Sequence, residues 1–186
     1  MKKHRELLKM VLSALFLAIA YVLPYLTGQI PEVGSMLCPM HIPVILCGFI
    51  CGWHWGLIVG AIAPLFRSFL TGGYPPLMPT ALCMAFELAA YGAVAGIVYT
   101  LLRRTLNGGV IKKWSAIYAS LFVAMIVGRL VWGSAMFIYS GINGEVFGLK
   151  AFWAGAVANA LPGILVQVVL IPPLVFAAER ISFLRK

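Results

Sequence analysis

Residues 40–70 read MHIPVILCGFICGWHWGLIVGAIAPLFRSFL, two apolar runs joined by CGWHWG at 51–56. A membrane crossing takes roughly 20 residues at about 1.5 Å each, so the stretch is too long for one span. It is also too short for two spans with a long connection. A tight helical hairpin resolves the mismatch: glycines permit the bend, and Trp53, His54 and Trp55 suit a membrane interface.

Working outward, an apolar helix is expected over residues 7–26, followed by a loop at 28–39 punctuated by Pro31, Gly34 and Pro39. After the hairpin, TGGYPPLMP at 71–79 is a strong breaker. A fourth helix is expected over 82–102 and a fifth over 114–139, with a loop at 103–113 between them. A glycine-rich loop at 140–150 leads to a sixth helix over 151–178, which Pro162, Pro172 and Pro173 should kink. The fold expected is therefore all-α: one domain over residues 1–186, a bundle of six transmembrane helices. The apolar run near the start continues without a small-residue cleavage site and is read as a retained first helix.

Composition agrees. Hydrophobic residues make up 62% of 186 positions and charged residues 10%, a balance that a soluble domain of this length cannot keep in solution. The formal net charge of +9 would raise nucleic acid as a partner in a soluble chain, but its distribution answers differently. Lys2, Lys3, Arg5 and Lys9 precede helix one, Arg103, Arg104, Lys112 and Lys113 separate helices four and five, and Arg180, Arg185 and Lys186 end the chain. With six spans all of these fall on one side, opposite Lys150, Glu32 and Glu145, so both termini are expected in the cytoplasm of a bacterial plasma membrane protein.

Arg67, Glu87 and Arg129 are the ionisable groups left inside expected spans, each costing about 2.5 to 3.5 kcal/mol at a helix centre. With His41 and Asn159 they fall at outer or middle depths, leaving the inner half nearly free of such groups. Polar groups from different helices at one depth fit a cavity open to the outside, which Tyr74, Trp132, Tyr139 and Trp153 would line. Alternatively, Glu87 pairs with Arg129 or Arg67 only to neutralise buried charge. Two arginines against one glutamate leave a surplus positive charge that suits an anionic or zwitterionic solute.

His41, Cys47, Cys51 and His54 invite a metal reading, since the two cysteines share a helix face. The histidines, however, lie at opposite ends of helix two, and cysteine also serves as a small hydrophobe, so no metal and no other cofactor is expected. Small residues recur four apart at Ala14 and Ala18, at Gly52, Gly56 and Gly60, and at Gly92 and Gly96, where another helix can approach closely. Those helices belong either to the same bundle or to a partner subunit. No nucleotide-binding loop, H-E-x-x-H or G-x-S-x-G pattern occurs, and aspartate is absent. An intramembrane enzyme using His41, Glu87 or Arg67 would lack a nucleophile paired with a base. A self-sufficient secondary carrier would want an internal repeat that the chain does not display.

Three segments carry a family resemblance: PMHIPVILCGFICG at 39–52 with GLIVG at 56–60, PTALCMAFELAAYG at 79–92, and the Ala14, Ala18 pair. Together with size and the six-helix plan, the chain resembles the substrate-binding membrane component, or S component, of energy-coupling factor vitamin transporters. The resemblance implies a high-affinity solute binder, not an enzyme, that works with a transmembrane coupling subunit and two ATPases. It places the alanine pair against the coupling subunit and has the S component tip over in the bilayer to deliver its solute. It also implies binding by the loop after helix one, residues 29–40, and by residues 74–76, Glu87, Arg129 and Asn159. Pantothenate, folates, nicotinate and pyridoxine-like compounds are the solutes it brings forward.

Overall fold

The structure, a computed structural model, describes residues 2–27, 37–105, 109–144, 147–155 and 159–180. Seven α-helices and no strand occur among the described residues. They are α1 (Lys2–Val22), α2 (His41–Cys51), α3 (Trp53–Leu70), α4 (Leu82–Thr105), α5 (Val110–Ile142), α6 (Leu149–Trp153) and α7 (Leu161–Arg180). A 3-10 turn at Leu23–Thr27 extends α1, and a π turn at Leu77–Ala81 leads into α4. Four segments, Lys3–Tyr25, Leu77–Thr105, Val110–Ile142 and Leu161–Arg180, are long and apolar enough to cross a membrane. α3 falls outside that set because its Trp53-His54-Trp55 start and Arg67 dilute an otherwise apolar helix.

The hairpin is tighter than a loop: Gly52 alone separates α2 from α3, with φ at +105°, a conformation that L side chains rarely adopt. The sixth helix departs from expectation. α6 ends at Trp153, residues 159–160 form a turn, and α7 begins at Leu161 with Pro162 in its first turn, where the missing N–H costs nothing.

Lipid is as apolar as leucine, so helices here are held by close packing rather than by escape from water. α2, α3 and α4 supply the means. A Cβ on Gly92 would stand 2.3 Å from the Gly56 carbonyl oxygen, one on Gly60 2.3 Å from that of Leu88, and one on Gly48 2.2 Å from that of Gly92. The recurrent glycines of α3 and α4 thus serve the bundle itself. Every residue of α2 except Ile50 is buried. One of its sides meets α4, α5 and α7 through Ile45, Phe49, Tyr91, Leu121 and Ile171, and the other meets α1, α3 and α4 through Val44, Cys47, Val59 and Leu88. α1 lies outermost, with Leu7, Val11, Leu15 and Ile19 exposed, as a lipid-facing helix requires.

Candidate functional site

His41 opens α2, and its backbone N–H donates to the Cys38 carbonyl at 3.1 Å. The imidazole is thereby turned into the bundle, where Nε2 lies 3.4 Å from Glu87 Oε1 on α4. Arg129 reaches the same oxygen from α5, its Nη1 at 2.9 Å, while Nη2 donates to the Cys38 sulfur at 3.8 Å. Glycine makes this convergence possible, because a Cβ on Gly128 would come within 2.6 Å of the Tyr91 ring. That ring in turn packs edge-on against His41, centroids 5.1 Å apart.

His41 and Glu87 are 2% and 1% exposed and the Arg129 side chain 14%, so this polar group lies largely within the bundle. Its bonding is incomplete. Both His41 ring nitrogens, Arg129 Nε and Glu87 Oε1 lack a partner in hydrogen-bond geometry, the His41 and Arg129 contacts to Oε1 being close without meeting it. Buried polar atoms in that condition are costly unless something completes their bonds.

Of the two partners open to Glu87, the structure selects Arg129. Arg67 occupies a second polar spot, its guanidinium carbon 6.0 Å from the Tyr25 ring centre and 5.7 Å from that of Tyr74. Thr71 caps this end of α3 by donating its hydroxyl hydrogen to the Arg67 carbonyl at 2.7 Å.

The remaining candidates are dispersed. Trp132 packs on the α6 side, edge-on to Phe147 at 6.0 Å and against Gly155. Tyr139 borders an apolar cleft of about 600 Å³ between α4 and α5, shared with Cys83, Phe86 and Val131. Trp153 and Asn159 are exposed, and Asn159 lies in the turn before α7, its backbone N–H on the Ala154 carbonyl. Ala14 and Ala18 lie on the exposed face of α1. Most of the loop expected to contribute to binding, residues 28–36, lies outside the described residues.

Two further polar features lie outside the set of candidates. Gln167, the one amide in the apolar run of α7, is 1% exposed with Oε1 unpartnered. At the end of the bundle remote from Glu87, Glu179 accepts from both the Tyr99 hydroxyl and Arg103 Nη1, tying α7 to α4.

An all-helical chain with lipid-suited outer faces and a charged centre enclosed by three helices is a polytopic membrane protein built around an internal polar site. The family model for the ECF transporter substrate-specific component matches residues 8–175, and the chain belongs to that family. It is therefore a transporter subunit; members bind small substrates and work with a membrane coupling subunit and ATPases. Comparison with curated proteins and with solved structures gives no match.

Proposed function

We propose that the chain captures a small vitamin-like solute at the outer membrane face, with His41, Glu87 and Arg129 as the polar floor of the site. Arg67 and Tyr74 form its outer wall, and Trp132 and Asn159 belong to its rim. A coupling subunit docked on Ala14 and Ala18, with two ATPase subunits, then drives uptake across the bacterial plasma membrane through six spans with cytoplasmic ends. The carrying observation is the set of buried, under-bonded polar atoms contributed by α2, α4 and α5. A ligand bearing both donors and acceptors completes them.

Native mass spectrometry of the protein in nanodiscs, followed by calorimetric titration with pantothenate, a folate, nicotinate and pyridoxine, tests this reading. Glu87→Gln and Arg129→Gln should each weaken binding of the captured solute at least tenfold, about 1.4 kcal/mol. The 2.9 Å contact equally suits a pair that only neutralises charge within the packing. In that case both variants melt lower while their solute affinity stays at the wild-type value, and the capture assignment falls.

A further inference from the structure

The two arginines of the site are not equivalent. Arg129 is matched by a carboxylate, so the Glu87–Arg129 pair is neutral, and an incoming anion there would meet Glu87. Arg67 is 6% exposed, its Nε has no partner, and no carboxylate lies within ion-pair distance of it among the described residues. Its company is aromatic. The rings of Tyr25 and Tyr74 flank it, and the Tyr25 hydroxyl is held 3.0 Å from that of Tyr21. π-faces balance part of a cation's charge, but they do not satisfy the Arg67 Nε–H donor, which calls for an oxygen acceptor.

The glycine seam sets where Arg67 lies. Gly56 meets Gly92, and Gly60 meets Leu88, so α3 runs antiparallel to α4 in a register that brings Arg67 opposite residue 81. At 1.5 Å per residue, that is about 9 Å along the axis from Glu87. The displacement is toward the end of the bundle where α2 begins and α3 ends.

The geometry points to Arg67 as the anion holder of the site: the solute presents a carboxylate or phosphate to Arg67, between Tyr25 and Tyr74. Its hydrogen-bonding, uncharged or cationic part reaches inward to Glu87, His41 and Arg129. This rests on the capture reading above and narrows the solute to a bifunctional anion, its two polar ends on the order of 9 Å apart along the bundle axis. A planar carboxylate suits a guanidinium by accepting two parallel hydrogen bonds, and an aromatic body suits the flanking rings.

Benzoate and benzamide, alike in shape and unlike in charge, are the probes. In phosphatidylcholine nanodiscs, millimolar benzoate should raise the melting temperature of the wild type while benzamide does not. Arg67→Gln should weaken benzoate binding at least tenfold, and Arg67→Lys, which keeps the charge without the planar fork, should retain a weaker response. Both variants are first checked for a single size-exclusion peak; Arg67→Lys decides the matter if the glutamine variant does not fold. Loss of the benzoate response in Arg129→Gln but not in Arg67→Gln would overturn the assignment and leave the capture reading standing. So would capture of a native solute by a wild type that ignores benzoate. Retention of phosphatidylglycerol in mixed nanodiscs, lost in Arg67→Gln and not displaced by benzoate, would give the site to a lipid headgroup and equally overturn it.

Discussion

Replacing Gly92 by alanine tests the seam that holds the site's helices in register. The new Cβ would stand 2.3 Å from the Gly56 carbonyl oxygen, 2.5 Å from its carbonyl carbon and 2.9 Å from its Cα. All three are backbone atoms, so no side chain can rotate aside. Reaching ordinary contact near 3.4 Å requires α3 and α4 to part by about 1 Å. A gap of that size forfeits a quarter to a half of the dispersion energy of each affected contact. Overpacking costs about 1 to 3 kcal/mol, and a backbone-on-backbone clash belongs at the upper end. At roughly 2 to 4 °C per kcal/mol for a chain of this size, the melting temperature should fall by about 6 to 12 °C. The control is Gly141→Ala, at a helical position where an added Cβ meets nothing within 4 Å. Gly141 is in the last turn of α5, so the interior propensity gain of about 0.5 to 1 kcal/mol is an upper bound and that variant should melt at or slightly above the wild type. Tryptophan-fluorescence melting of both variants in one detergent decides the matter, and a Gly92→Ala protein that melts with Gly141→Ala would refute the packing argument.

Ala14→Leu with Ala18→Leu adds bulk to the exposed face of α1. It should leave solute binding intact while abolishing co-purification with the coupling subunit and ATPases; unchanged co-purification would free that face from the role. Glu179→Gln loses the charge in the contacts with Tyr99 and Arg103, and loss of charge-assisted bonds at a half-buried site costs about 1 to 2 kcal/mol. Melting should fall by roughly 2 to 8 °C. Solute affinity at the remote end should not change, as titration would report.

The hairpin was legible because two apolar runs with a glycine-rich join leave no other way to fit a bilayer. Glu87, His41 and Arg129 were legible for a related reason: polar groups within apolar spans are expensive and stand out. Which arginine faces Glu87 was not legible, because it depends on helix rotation, here fixed by Gly128 yielding to Tyr91. Asn159 looked helical in an unbroken apolar run, yet Pro162 marks a helix start rather than a kink. Gln167 carries no charge, so in an apolar run it is a weak signal. Glu179 lies just past the expected end of the sixth helix, where a carboxylate carries no membrane cost and so gives no signal.

α2 has 11 residues. At 1.5 Å each it rises only about 16 Å, roughly half of a 30 Å hydrocarbon core. Gly52 joins one end of it directly to α3, and at the other end His41 is 2% exposed, enclosed by the helices around it. A molecule reaching His41 must therefore shed its hydration before it arrives, and any polar group it cannot bond there is penalised in full. Recognition at such depth discriminates by the completeness of a guest's hydrogen bonds more sharply than by its size.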